Sequence, residues 1–129
     1  MLGNDRRRLS DRIAAYALYT DPPLGRAGLT EDQVRRSGQR ALIATRPMTR
    51  VGRAVEKGET QGLMKVLVDA ENKKILGAAI LGTGGDEVVH GILDVMYTDA
   101  PYTVLRRTMP IHPTVSELIP TLLGDLQPL

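Results

Sequence analysis

Three observations along the chain predict an α+β fold, with a mainly antiparallel sheet covered by helices. Two apolar runs, TQGLMKVLVDA (60–70) and KKILGAAIL (73–81), meet at Glu71–Lys73 with the spacing of a β-hairpin. From residue 84 onward the apolar period changes from that of a strand to that of a helix. Strands therefore come first and helices last, an order that sets helices on an antiparallel sheet rather than between parallel strands.

Each element has its own local reason. IAAYALYT (13–20) is apolar and runs into DPPLG, a proline-glycine stop, so it reads as a strand. LTEDQVRRSG (29–38) carries both helix signals. Thr30 and Gln33 have capping-box spacing, Glu31 and Asp32 fall in the first turn, Arg35 and Arg36 in the last, and Gly38 closes it. RALIATRPM (40–48) reads as a strand closed by Pro47, and residues 51–59 as a polar, glycine-punctuated connection. The hairpin follows. Its apolar content is too continuous for a sheet wetted on one face, so part of it is expected to be covered on both faces by helices or a partner.

In GGDEVVHGILDVMYT (84–98), Val88, Val89, Ile92, Leu93 and Met96 form one helical stripe. PYTVLRRT (101–108) reads as a second short helix with Pro101 near its first turn. Val115, Leu118, Ile119, Leu122, Leu123 and Leu126 then repeat with helical spacing, and Pro120 should bend or interrupt that last helix.

Composition bounds the chemistry. A chain of 129 residues suits one domain with a real core, and 42% hydrophobic with 25% charged residues is globular. The absence of cysteine excludes a disulfide framework, a thiolate metal site and a thiol nucleophile within this sequence. No apolar run approaches the roughly 20 residues of a membrane span, and residues 5–12 are charged rather than apolar, so a cytoplasmic protein is expected. The net charge of +2 conceals a basic first half: residues 1–57 hold twelve Lys/Arg against six Asp/Glu, and residues 58–129 hold five against nine. With no Phe, no Trp and four Tyr, stacking platforms for bases are scarce, and nucleic acid is not expected as a partner.

Three stretches invite chemistry. ILGTGGDEVVHG runs a strand through Gly82, Gly84 and Gly85 into a helix. A dinucleotide fingerprint, however, wants a third glycine where Glu87 stands, and Asp86 with Glu87 would repel phosphate. A tight strand-to-helix turn is the expectation there. His90 and Asp94 lie one turn apart on the helix, but nothing supplies a third metal ligand, so an exposed pair is expected and no metal site. MPIHPTVSELIP (109–120) holds His112, biased to an extended backbone by Pro113, and Glu117 five residues on. Two readings stand. Thr114 and Glu117 have capping-box spacing and can simply cap the helix; or the carboxylate holds the imidazole in one tautomer as an acid–base group. In the second case the nucleophile must come from another polypeptide segment.

IHPTVSE resembles the His-Pro motif near the C-terminus of the pyridine nucleotide-disulfide oxidoreductases, the family of glutathione reductase, lipoamide dehydrogenase and mercuric reductase. DPPLGRAGLTEDQVRRSG resembles the opening of that family's C-terminal domain, GETQGLMKVLVDAENKKILGAAILG its central hairpin, GGDEVVHGILDVM its interface helix, and PYTVLRRTMPIHPTVSELI the segment that delivers the catalytic histidine. The resemblance implies a homodimerisation domain, residues 13–129, preceded in a parent enzyme by FAD and NAD(P) domains. Residues 1–12 are then the remnant of the entering linker. It further implies that His112 serves the redox disulfide of the partner subunit and that Glu117 orients it. No FAD or NAD(P) fingerprint and no redox cysteine pair stands in this sequence, so the chain alone is expected to hold no cofactor and to be inert. Pro110 stands where lipoamide dehydrogenase-like members often carry another histidine. The alternative is a free-standing homodimeric interaction module of the same fold without redox chemistry.

Overall fold

The computed structural model describes residues 8–129. Residues 1–7 of the expected entering segment lie outside the described residues, and Leu9–Asp11 form a 3-10 turn. Six strands make one antiparallel sheet in the order β1-β2-β5-β4-β3-β6. Their spans are β1 Ala15–Leu18, β2 Leu24–Gly28, β3 Ala41–Pro47, β4 Leu63–Asp69, β5 Ile75–Leu81 and β6 Gln127–Pro128. The helices are α1 Glu31–Ser37, α2 Gly52–Lys57, α3 Gly85–Tyr97, α4 Thr103–Arg106 and α5 Ile119–Leu122. This is the α+β architecture expected.

The hairpin β4–β5 is the centre of the sheet. Its turn is held by Asp69, whose carboxylate accepts from the backbone N–H of Glu71 at 2.7 Å and of Asn72 at 3.0 Å and from the side chain of Gln39. These donors hold the carboxyl of Asp69, only 5% exposed, below its ordinary pKa. α1 is capped as its sequence predicts: Gln33 N–H donates to Thr30 Oγ1 at 3.0 Å, and Thr30 N–H donates to Gln33 Oε1 at 2.8 Å.

Alternation along the strands sorts the two faces. Met64, Val66, Ala78 and Ile80 point into the main core, which lies between the sheet and α2, α3 and α5. α3 lies directly on β2 and β5. That approach is possible because Gly25 and Gly85 have no side chains: a Cβ on Gly25 would stand 2.1 Å from Gly85 O, and one on Gly85 would stand 2.3 Å from Ile80 O. On the opposite face α1 and the Leu29 backbone cover a smaller cluster of Val34, Ala41 and Leu67. Leu29 N–H donates to Leu76 O at 2.8 Å, and Leu29 O sits where a Cβ on Gly77 would be, at 2.0 Å.

Four expectations are corrected. The first strand does end before DPPLG, but Leu24 and Gly25 already open an unexpected strand, β2, LGRAG, whose small residues carry little strand signal because they lie under α3. The connection 51–59 contains α2, which follows a 3-10 turn at Met48–Arg50; Met48, Val51 and Ala54 are wholly buried. The last helix is shorter than its periodicity suggests. A 3-10 turn at Ser116–Leu118 leads into α5, Pro120 occupies its first turn, where a missing N–H costs nothing, and past Gly124 the chain extends to pair with β3 as β6. The second short helix spans only Thr103–Arg106.

Candidate functional site

The stretch from Pro101 through α4 to α5 is anchored at both ends and free in the middle. At the near end, Lys74 and Pro101 form a β-bridge, and Tyr102 N–H donates to Lys73 O at 2.8 Å. At the far end Val115, Ile119, Leu122 and Leu123 are buried in the main core. Between these anchors Met109 is 97% exposed and Ile111 79% exposed. Two large apolar side chains held in water on one short loop need a covering surface.

His112 sits on this loop. The His112–Pro113 peptide is cis. Thr114 Oγ1 donates to Ile111 O at 2.7 Å and accepts from Glu117 N–H at 3.2 Å, closing the loop around the imidazole. His112 Nδ1 lies 2.9 Å from Glu117 Oε2. The half-buried Glu117 carboxylate can only accept, so Nδ1 is the protonated nitrogen of the neutral ring, and Nε2 is left to face outward. The histidine side chain is 77% exposed and the glutamate 17%. So exposed a pair contributes little stability, on the order of 0–1 kcal/mol. Its effect is to fix the ring's tautomer and direction.

The capping-box reading is thereby half met. Thr114 does cap the Glu117 N–H, but the Glu117 side chain turns to the imidazole rather than back to the Thr114 backbone. The other sequence candidates lie elsewhere. His90 is exposed, and among the described residues no hydrogen bond or ion pair joins it to Asp94. No group of three metal-ligating side chains occurs among the described residues. The Gly82–Gly85 turn leads from β5 into α3: a Cβ on Gly82 would meet the Met48 side chain at 2.4 Å and one on Gly85 would meet Ile80 O at 2.3 Å, while Gly84 supplies a φ of +68°. Asp86 and Glu87 in the first turn of α3 set two carboxylates beside the turn and repel a phosphate, so the turn does not fit a flavin or nicotinamide nucleotide. Met109 and Ile111 were the residues that sequence reasoning passed over; their signal was two apolar side chains beside a proline, outside any strand or helix period.

The sheet and helices thus support a short loop that exposes Met109, Ile111 and a hydrogen-bonded imidazole. The family model for the pyridine nucleotide-disulphide oxidoreductase dimerisation domain matches residues 14–123. The probable pyridine nucleotide-disulfide oxidoreductase RclA of Escherichia coli is 35% identical over 118 residues, 91% of this chain and 27% of that protein. The dihydrolipoyl dehydrogenase of Halobacterium salinarum is 35% identical over 117 residues, 91% of this chain and 25% of that protein. The solved structure of the HOCl-induced flavoprotein disulfide reductase RclA from Escherichia coli superposes with a TM-score of 0.90 at 34% identity, covering 96% of this chain and 29% of that one. The chain belongs to the pyridine nucleotide-disulphide oxidoreductase dimerisation-domain family. It spans about a quarter of the length of these curated relatives. Among the described residues no helix is long and apolar enough to cross a membrane.

Proposed function

We propose that this domain forms a two-fold homodimer within an FAD-dependent NAD(P)H disulfide oxidoreductase and that His112, oriented by Glu117, is the acid–base group for the redox disulfide of the partner subunit. The observation that carries the reading is the 2.9 Å contact from Nδ1 to Glu117 Oε2 on an exposed, doubly anchored loop, because it leaves Nε2 free for another polypeptide. The exposed Met109 and Ile111 give that loop an apolar surface to bury on docking.

The chemistry follows from disulfide exchange. A thiol attacks only as its thiolate, and the departing sulfur needs a proton. Neutral His112 takes the proton of the attacking thiol on Nε2. The new S–S bond forms as the old one breaks, and the imidazolium returns that proton to the leaving thiolate. Glu117 stabilises the imidazolium through the Nδ1–H bond without taking its proton. FAD and NAD(P)H are held by the other domains of the parent enzyme.

The test uses two full-length variants, one with His112→Ala and one without the redox cysteines. Their verified heterodimer should regain one working site, formed by the His112 of the cysteine-less subunit and the cysteines of the other, while neither mutant homodimer turns over comparably. Failure of the heterodimer to recover activity rejects the cross-subunit role. Light scattering of the 129-residue chain across a dilution series checks the dimer separately, and a strict monomer at high micromolar concentration would rule it out.

A further inference from the structure

The sheet face turned away from α3 is only half covered. α1 and Leu29 shield the end of it nearest Gly77, and beyond them remains a groove of about 430 Å3. Its floor is set by register. Leu24, Leu81 and Leu63, successive cross-strand neighbours on β2, β5 and β4, line it in one row, and Leu18 of β1 continues that row beyond the groove. Three strand spacings make that row roughly 14 Å long. Beside it runs a second row, Tyr16, Arg26, Ala79 and Lys65.

Among the described residues, the other charges along the groove have partners and Arg26 does not. Lys65 Nζ lies 2.7 Å from Glu31 Oε2, Glu31 Oε1 lies 2.9 Å from Arg35, and Asp32 pairs with Arg36. Arg26 makes no hydrogen bond or ion pair among the described residues, and its Nε is buried without a partner. The Tyr16 ring, 5.8 Å from the guanidinium carbon, packs against it. An apolar floor, a cation with no ion-pair partner among the described residues and a size within the range of small-molecule sites define a ligand.

The geometry points to a binding site for a single-chain apolar carboxylate, its hydrocarbon lying along the leucine row and its carboxylate bonded to the Arg26 guanidinium. The guanidinium fork matches a carboxylate in plane and spacing. A hydrocarbon chain suits a strip only two side-chain rows wide, roughly 7 Å from row to row, with α1 as its wall. A packed helix of roughly 10 Å diameter would ride over that wall.

Decanoate, kept below its micelle concentration, is the probe. Titrated into the 129-residue chain, it should bind saturably at submillimolar concentration and shift the methyl NMR signals of Leu24, Leu63 and Leu81. Decyltrimethylammonium, which carries the same chain and the opposite charge, should not. Arg26→Gln should weaken decanoate roughly tenfold, the loss of one charge-assisted bond. Ala79→Leu fills the floor and should abolish binding without lowering the melting temperature, so it decides the matter even if the Arg26 variant folds poorly. Equal binding of the cation, full affinity in Arg26→Gln, or shifts confined to other residues would overturn the site. So would leucine shifts that follow protein concentration without decanoate, since a second copy would then cover the face.

Discussion

The Gly82–Gly85 turn and the Met109–Glu117 loop are built in opposite ways. Two of the turn's glycines have no room: the Met48 side chain crowds Gly82, and the Ile80 and Pro23 carbonyls crowd Gly85. The loop is rich in proline, leaves Met109 and Ile111 exposed, and fastens its ends to the hairpin and the core. A glycine cluster under a helix is therefore a packing device here. The proline-braced segment instead has a buried foot and exposed side chains, as the proposed presentation of His112 requires. What separates them is where the burial falls, at the centre of one and at the ends of the other.

The widest separation between the two should appear in turnover. In the parent enzyme, His112→Ala should lower disulfide turnover by roughly 10²–10⁴-fold, the usual effect of removing a positioned acid–base group. Dimerisation and flavin content should stay intact, read by light scattering and absorbance. The converse holds at the turn. Gly85→Ala should destabilise the domain by about 2–3 kcal/mol through overpacking against backbone, with thermal melting as the readout. Equal stability in that variant would break the comparison.

A third turn, the hairpin at Asp69, sharpens it with a pH signature. Its carboxyl is held below the ordinary value by the Asn72 and Glu71 N–H groups. A depressed folded-state pKa gives stability that is complete above the unfolded value, about 3.9, and is lost as pH falls through the lower folded value. Asp69→Asn should cost about 1–2 kcal/mol at neutral pH, and the gap to the unmodified chain should shrink below about pH 4, measured by urea denaturation at each pH. The smallest effect is expected of Glu117→Gln. It keeps the shape and an acceptor for Nδ1–H but loses the charge, and turnover in the parent enzyme should fall roughly fivefold, for about 1 kcal/mol. A drop as large as that of His112→Ala would mean that Glu117 does more than orient.

Much of this fold was legible because its signals are local. The α1 caps, the hairpin spacing and the α3 stripe depend on residues a few positions apart. β2 was not legible: its side chains are small where α3 presses on it, and that pressure comes from residues more than fifty positions away. α2 was hidden by its polar outer face, and α5 was overextended because the leucine period continues past Gly124, where the chain leaves to pair with β3. His112 and Glu117 were legible as a spacing. Which way the Glu117 side chain would turn was not, because both Thr114 and His112 lay within its reach.

Gly77 has a consequence for how the sheet finds its alignment. Leu29 O occupies the space beside it, 2.0 Å from where a Cβ would stand. A slip of β5 by one residue would set Leu76 or Ala78 under that carbonyl, and would also turn every side chain of the strand to the wrong face. Absence of a side chain thus works as a key: of the positions in the run Leu76–Ala79, one alone admits the crossing backbone, and misaligned sheets are refused before their cores can form.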